Sequence, residues 1–181
     1  MAKRKSIPES ALGRKTHSIL NLFFTEPTKE FSFREIAKLA EIGSSSAKKG
    51  LEELTSLRLV LADKGRYTHS YKANRENRQF KLAKTYATLV AFEEAVRKID
   101  DSCMPSCIVL FGSAARGEDT EQSDIDLFVQ AKAKALSLAK EEKILQRPLH
   151  ILFEPDIKLI SRELLNNLAN GIVLSGYLVV K

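Results

Sequence analysis

The chain has 181 residues, 44% of them apolar, and a formal net charge of +6, which is enough apolar sequence to bury a core in two small domains. No run of eighteen apolar residues occurs, and the basic residues after Met1 are not followed by the apolar core of a signal peptide. We therefore expect a soluble, cytoplasmic protein that does not insert into a membrane.

The charge is divided unevenly along the chain. Residues 1–99 hold 20 Lys and Arg against 11 Asp and Glu, a net of +9, whereas residues 100–181 hold 9 against 12, a net of −3. This asymmetry predicts different ligands for the two parts, a polyanion for the first and a ligand that carries a metal cation for the second. Surface charge without a function is the alternative.

Three helices are predicted in the first 57 residues. Apolar residues recur at helical spacing over residues 11–24. Ser32 and Glu35 have the spacing of a capping box, which begins a second helix that ends near residue 40. A glycine turn then leads into a third helix over residues 44–57. Two short helices joined in this way are typical of a helix-turn-helix.

A β-hairpin is predicted directly after the third helix, over residues 59–72. This order of elements resembles a winged helix-turn-helix domain, which we place at residues 1–74. The resemblance implies that the third helix enters the major groove of duplex DNA and that the hairpin is the wing. The implied DNA-binding residues are Ser45, Ser46, Lys48, Lys49, Lys64 and Arg66. Since winged-helix domains also dock proteins, a protein-binding role is the alternative.

Residues 75–100 are predicted to form one long connecting helix with two apolar stripes. One stripe includes Leu82 and Leu89, and the other includes Phe80 and Val90. One helix cannot bury both stripes by itself, so we expect it to pair with its twin in a homodimer. Burial between the two domains of one chain is the alternative.

The next segment contains Cys103 and Cys107, the only cysteines in the sequence. Together with the three scattered histidines they do not have the spacing of a zinc site. We therefore expect two thiols in or near the core.

The residues that indicate chemistry lie between positions 107 and 129. Residues 107–111 are predicted to be a buried strand, and Gly112 and Ser113 turn the chain into a short helix whose backbone N–H groups can face a phosphate. Asp124 and Asp126 are one residue apart, which on an extended strand places both carboxylates on the same face, about 7 Å apart. Carboxylate oxygens are ligands for hard cations such as Mg²⁺. The pattern predicts a site that binds a phosphate and its metal ion.

Gly112-Ser113, ten intervening residues and Asp124-Ile-Asp126 resemble the nucleotidyltransferase family related to DNA polymerase beta, and within it the minimal nucleotidyltransferases. The resemblance covers roughly residues 105–176. It implies a nucleotidyltransferase-like α/β domain at residues 101–181, so that the whole chain is of the α+β class.

The family resemblance also implies roles for individual residues. Asp124 and Asp126 would bind Mg²⁺ and act in catalysis, and Gly112 and Ser113 would bind the nucleotide. Arg116 would place positive charge near the phosphates. An ion pair of Arg116 with one of the nearby carboxylates is the alternative, the candidates being Glu118, Asp119 and Glu121.

The remaining elements are predicted as a helix over residues 131–145, a strand over 149–153, a helix over 161–170, and a core-filling tail over 171–180. The strand places His150 at the position of the family's third catalytic carboxylate. An imidazole can accept a proton but is a poorer Mg²⁺ ligand than a carboxylate. His150 is therefore either a catalytic base or a packed strand residue with one hydrogen bond.

Two functions remain open from the sequence. The first is a Mg²⁺-dependent nucleotidyltransferase that moves a nucleoside monophosphate from an NTP, by default ATP, to a hydroxyl. Because minimal nucleotidyltransferases often act as antitoxins, the resemblance allows that hydroxyl to belong to a partner toxin of the HEPN type. The second is a DNA-binding transcriptional regulator whose nucleotidyltransferase-like domain is a nucleotide sensor or an inactive scaffold. Asp124 and Asp126 favour the enzyme, and His150 favours the regulator.

Overall fold

The computed structural model of the chain describes residues 12–65 and 69–180. The chain divides into two compact units, with the boundary between Lys84 and Thr85. This boundary lies inside the predicted connecting helix and not at residue 74, where the first domain was predicted to end. None of the described helices is long and apolar enough to span a membrane.

The first unit contains the three predicted helices, which are α1 (Arg14–Thr25), α2 (Phe33–Leu39) and α3 (Ser44–Ser56). The predicted capping box is present at α2. The backbone N–H of Glu35 donates to Ser32 Oγ at 3.3 Å, and the backbone N–H of Ser32 donates to Glu35 Oε2 at 2.8 Å. These bonds satisfy amide groups that the first helical turn cannot pair internally.

Helices α1 and α3 approach each other closely at Gly50. A Cβ atom built on Gly50 would lie 2.6 Å from Ile19 Cδ1 and 3.5 Å from the Cα atom of Thr16. A Cβ atom at residue 50 would therefore require the end of the Ile19 side chain to shift, whereas the backbone of Thr16 would stay at ordinary contact distance. Elsewhere in this unit, the rings of Phe23 and Phe31 pack edge to face with their centroids 5.3 Å apart, and both side chains are fully buried.

A three-stranded antiparallel sheet completes this unit. It consists of β1 (Phe31–Ser32), β2 (Val60–Lys64) and β3 (His69–Ala73), in the order β1-β3-β2. Strands β2 and β3 pair from Val60 opposite Ala73 to Lys64 opposite His69. The predicted hairpin is thus present, and residues 66–68 at its tip lie outside the described residues.

The prediction of one helix over residues 75–100 is wrong in detail. Two successive helices are present, α4 (Arg78–Ala91) and α5 (Glu93–Cys103), and they meet at Phe92. The backbone N–H of Phe92 is shared between the carbonyls of Thr88 and Leu89, at 3.0 and 3.2 Å, and its side chain is fully buried. The shared hydrogen bond tightens the last turn of α4, at the residue whose ring is buried in the core.

The second unit is built on a four-stranded mixed sheet of β4 (Cys107–Phe111), β5 (Ile125–Val129), β6 (Leu149–Phe153) and β7 (Ile172–Gly176), in the order β6-β5-β4-β7. Strand β4 pairs antiparallel with both β5 and β7, whereas β5 and β6 are parallel. The other elements here are α6 (Gly112–Ala115), α7 (Ala139–Leu145), a 3₁₀ turn (Ile157–Leu159) and α8 (Arg162–Ala169).

Both faces of this sheet are covered. On one face α5 contributes Ile99 and Cys103 to a core that includes Leu110 and Leu127. On the other face Leu168 of α8 packs with Cys107, Val109 and Phe128. Strands buried on both faces read as continuous apolar runs, as residues 107–111 do. Cys103 and Cys107 are free and buried, as predicted.

The predicted helix over residues 131–145 is shorter than expected. Only α7 (Ala139–Leu145) is helical, and residues 131–138 are irregular. Leu136 and Leu138 belong to the core on the α5 face, and Lys134 Nζ donates to the carbonyl of Ser102 at 2.5 Å. Here tertiary packing overrides the helical propensity of an alanine- and lysine-rich segment.

The tail was predicted to fill the core, and it does so in part. Residues 172–176 form the edge strand β7, from which Ile172 and Leu174 pack against the core. Val173 is 47% exposed and Tyr177 is 84% exposed. Alternation along β7 therefore puts only one of its faces into the core.

Candidate active site

The predicted site residues of the second unit meet at one end of its sheet. Phe111, the last residue of β4, is the register partner of Asp126 on β5. Asp126 is in turn the register partner of His150 on β6. Gly112 follows Phe111 directly, so the glycine turn, one aspartate and the histidine lie side by side across three adjacent strands.

Gly112 touches the carboxylate of Asp126. A Cβ atom at residue 112 would lie 2.6 Å from Asp126 Oδ2, and the φ angle of Gly112 is +71°, in the left-handed region. Both the close approach and the backbone angle require glycine. The chain then enters α6, where Ser113 is half-buried and Ala114 is buried.

The other carboxylate oxygen of Asp126 contacts His150. His150 Nδ1 lies 3.1 Å from Asp126 Oδ1, and the side chains are 64% and 30% exposed, respectively. Because an ionised carboxylate only accepts hydrogen bonds, Nδ1 carries the donated proton. In the neutral ring Nε2 is then a proton acceptor. The alternative to a catalytic role was a packed strand residue with one hydrogen bond. His150 makes one hydrogen bond, but its side chain is exposed and not packed.

Asp124 lies immediately before β5 and is exposed, whereas Ile125 between the two aspartates is buried. A short turn precedes it, in which the backbone N–H of Thr120 donates to Ser123 Oγ at 2.9 Å and the N–H of Ser123 donates to the Thr120 carbonyl at 3.1 Å. This turn gives Ser123 a structural role beside the first aspartate.

The donor chemistry at this end of the sheet suits a hard divalent cation. Asp124 and Asp126 offer carboxylate oxygens in accessible positions, which is the ligand type that such a cation prefers. Within residues 12–65 and 69–180 no group of three or more His, Cys, Asp or Glu is placed to hold a metal ion. A cation bound by these two carboxylates would complete its coordination shell with further ligands, such as water.

A buried ion pair that the sequence did not indicate supports this site. Arg147 donates to Asp119 Oδ2 at 2.8 Å, and both side chains are 5% exposed. The backbone N–H of Ile125 also donates to the Pro148 carbonyl at 3.0 Å. These contacts join the loop that leads to Asp124 to the segment that begins β6. The two residues are far apart in sequence, and no local pattern links them.

Arg116 forms one of the ion pairs considered from the sequence. Its Nε atom donates to Glu118 Oε2 at 2.9 Å, and the two side chains are 53% and 40% exposed. An exposed pair of this kind is weak and leaves the guanidinium accessible. A nucleotide-binding role for Arg116 stays a prediction.

In the first unit, the predicted DNA-binding residues of α3 lie near its beginning. Ser45, Lys48 and Lys49 are exposed, and Ser46 is half-buried and accepts a hydrogen bond at its Oγ atom from Lys15 Nζ at 3.0 Å. Lys64 is the last residue of β2, and Arg66 lies outside the described residues. The exposed α3 residues thus share one end of one helix.

Comparison with known proteins bears on the second unit. Residues 93–181 match the model of the family described as polymerase beta, nucleotidyltransferase, and the match begins at the first residue of α5. No curated protein matches the chain.

The match supports the predicted polymerase beta-like nucleotidyltransferase superfamily for this part of the chain. A domain of this family implies an NTP substrate and transfer of a nucleoside monophosphate, and divalent metals are typical of its members.

Proposed function

We propose that the chain is a Mg²⁺-dependent nucleotidyltransferase that moves a nucleoside monophosphate from an NTP, ATP by default, to a hydroxyl group. The observation that carries this proposal is the contact of Asp126 with Gly112 through one carboxylate oxygen and with His150 through the other. Asp124 immediately precedes the same strand. The family match of residues 93–181 supports the same activity.

In this proposal Asp124 and Asp126 hold the metal ion, and Gly112 with Ser113 binds the outer phosphates. A bound divalent cation would neutralise charge on the triphosphate and on the leaving pyrophosphate. The missing side chain of Gly112 leaves room for the carboxylate of Asp126 directly beside the turn that would bind the phosphates. Arg116, which follows α6 and pairs with Glu118, would add positive charge near the phosphates.

The reaction forms a bond between the acceptor oxygen and the α-phosphorus and breaks the bond between that phosphorus and the bridging oxygen. Pyrophosphate leaves, and the acceptor hydroxyl loses its proton. We assign the proton acceptor as Nε2 of His150, because Nδ1 is held by Asp126 and the ring is open to solvent. By family resemblance, the acceptor hydroxyl belongs to a partner protein, such as a toxin of the HEPN type.

The first unit is proposed to be a winged helix-turn-helix that binds duplex DNA. Support comes from three helices followed by an antiparallel hairpin, from the exposed Lys48 and Lys49 on α3, and from the net charge of +9 over residues 1–99.

A homodimer is proposed on the exposed apolar residues of α4, where Leu82 is 58% exposed and Val90 is 44% exposed. Sedimentation equilibrium should then give twice the mass of one chain. A single-chain mass at every concentration would contradict the dimer.

The enzymatic proposal is tested by transfer of label from α-labelled ATP in Mg²⁺ to proteins in a lysate of the source cell. The parent should label an acceptor, and Asp124→Asn should not. Asp101→Asn is the matched control, because it makes the same chemical change at an exposed residue of α5 and should label as the parent does. Equal labelling by parent and Asp124→Asn would contradict the assignment of Asp124.

The second candidate is a DNA-binding regulator whose nucleotidyltransferase-like domain senses nucleotide or serves as a scaffold. It is favoured by one observation, that an imidazole and not a third carboxylate lies beside Asp126. Nucleotide binding that depends on Mg²⁺, without transfer of label to any acceptor, would select a sensor over the enzyme. Absence of both binding and label would select a scaffold.

A further inference from the structure

The first unit contains an open cavity between the beginning of α1 and the first turns of α3. Its volume is about 680 Å³. The side chains that define its character are Arg14, Lys15, Thr16, Ser46, Lys49 and Glu53. Three of these are cations and one is a carboxylate, so the lining carries a net positive charge.

Contacts between the two helices hold this cavity in shape. Lys15 Nζ donates to Ser46 Oγ at 3.0 Å, and the buried hydroxyl of Thr16 donates to Glu53 Oε2 at 2.8 Å. Gly50 also lines the cavity, and a Cβ atom there would lie 2.6 Å from Ile19 Cδ1 of α1. Lys15 is therefore tied to the first turn of α3 although the two lie far apart in sequence.

The cavity is continuous with the surface already proposed to bind DNA. Ser46 and Lys49 line the cavity and are also two of the α3 residues assigned to DNA. Across the cavity Arg14 and Lys15 are exposed, and within the described ranges neither has a carboxylate in ion-pair contact. Two basic side chains facing the beginning of the proposed recognition helix suit a DNA backbone phosphate, which carries the complementary charge.

We propose that Arg14 and Lys15 extend the DNA-binding surface by binding a backbone phosphate at the mouth of this cavity. This inference rests on the proposed DNA-binding function of the first unit. In this arrangement the two α1 residues bind one backbone phosphate, and Lys49 contacts the duplex separately from the α3 side. The contact positions the duplex and carries no information about base sequence.

The test is the salt dependence of duplex binding, measured by fluorescence anisotropy at several NaCl concentrations with the full chain. The variant Arg14→Gln with Lys15→Gln keeps the length of both side chains and removes both charges. It should lower the slope of log affinity against log salt by about 1, the value for one lost phosphate contact. The loss of affinity should be the same for two duplexes of unrelated sequence, because phosphates are common to both.

The matched control is Lys29→Gln with Lys72→Gln. It removes two positive charges from the same unit, but these lysines are already paired with Glu26 and Glu30. The control should keep the parental slope. An equal fall in slope for control and variant would mean that net charge alone is responsible, and it would overturn the proposed contact.

The experiments distinguish an error in the proposed contact of Arg14 and Lys15 from an error in the proposed DNA binding of the first unit. If Lys48→Ala with Lys49→Ala lowers the slope and the Arg14 and Lys15 variant does not, DNA binding stands and the extension through α1 is wrong. If the parent shows no salt-dependent binding of duplex DNA, both are wrong. Circular dichroism of each variant establishes that the fold is retained.

Discussion

Gly112 and the carboxylate of Asp126 lie closer together than any side chain at position 112 would allow. The same carboxylate contacts His150 through its second oxygen, so its orientation is determined from two sides. In the proposed site, an aspartate held in this way would bind a metal ion with little loss of conformational freedom. At the scale of single residues, the site therefore depends on an absent side chain as much as on the charged ones.

Gly112→Ala should disrupt the site. The added Cβ would displace Asp126, and the left-handed backbone angle would be strained by about 1–2 kcal/mol. We expect the free energy of unfolding to fall by that amount and the rate of nucleotidyl transfer to fall about a hundredfold, the scale on which misplacing a catalytic group acts. Denaturant unfolding and transfer from α-labelled ATP measure the two effects.

The control for this variant is Gly43→Ala. A Cβ atom at residue 43 meets no atom within 4 Å, and the φ angle there is −67°. This substitution should leave nucleotidyl transfer unchanged. Transfer by Gly112→Ala at the parental rate would show that the contact with Asp126 has no part in the reaction.

At the scale of elements, polar contacts decide where helices begin and how loops join strands. The capping box begins α2, and a buried ion pair joins the loop before β5 to the start of β6. The first arises within four consecutive residues, whereas the second joins residues on different elements. The capping box is exposed to water, whereas the ion pair is buried. We therefore expect substitutions in the two places to change stability by different amounts.

The capping box predicts a pH dependence of stability. Hydrogen bonds from the Ser32 backbone and side chain hold the pKa of Glu35 below its ordinary value of 4.5. A lowered folded-state pKa means that the stabilisation is present above the unfolded pKa and is lost as pH falls through the folded one. The parent should therefore be more stable than Glu35→Gln at neutral pH, and this difference should shrink below pH about 4.5.

Urea unfolding of both proteins across this pH range measures the effect. Glu76→Gln is the control, because Glu76 is exposed in the turn before α4 and belongs to no capping box. A stability difference between parent and Glu35→Gln that does not change with pH would contradict the role of the Glu35 carboxylate.

Removing one member of the buried ion pair should be severe. Arg147→Met leaves the charge of Asp119 buried without its guanidinium and should lower the free energy of unfolding by about 3–5 kcal/mol. Replacing both, with Arg147→Met and Asp119→Leu, should cost less than Arg147→Met alone, since no buried charge is then left behind. Thermal and urea unfolding measure both variants.

Arg116→Met is the matched control for this prediction. It makes the same substitution in the exposed pair with Glu118 and should cost less than about 1 kcal/mol. Equal losses for Arg116→Met and Arg147→Met would mean that burial does not decide the contribution of these pairs.

At the scale of the whole molecule, the net positive charge and the match to the nucleotidyltransferase family fall on different parts of the chain. The first unit ends at Lys84, and the family match begins at residue 93. Residues 1–99 carry a net charge of +9 and residues 100–181 carry −3. Under the proposed functions, duplex DNA binds to the part of the chain with net positive charge and the metal-bound nucleotide to the part with net negative charge.

This segregation predicts a crossed pattern of two variants. Lys48→Ala with Lys49→Ala should weaken duplex binding and lower its salt slope by about 2, while leaving Mg²⁺-dependent ATP binding unchanged. Asp126→Asn should abolish ATP binding and leave the salt slope unchanged. Anisotropy and equilibrium dialysis measure the two ligands. Loss of both ligands in either variant would contradict independent sites.

The sequence by itself determined the features that a few consecutive residues encode. The capping box of Ser32 and Glu35, the hairpin after α3 and the strand–glycine turn at Gly112 were all predicted and are present. Apolar periodicity and turn chemistry act over three or four residues, so they can be recognised before the chain folds. Spacing across Gly112 and Asp126 also predicted the superfamily that the match of residues 93–181 supports.

Only the tertiary structure decided which residues distant in sequence meet. The break at Phe92, the irregular segment 131–138 and the ion pair of Arg147 with Asp119 arise because burial and packing outweigh local propensity. From the sequence, His150 aligns with the position of the family's third catalytic carboxylate. Only the register of β5 and β6 shows that His150 lies beside Asp126. Register follows from pairing across the whole sheet, and no local pattern in the chain contains it.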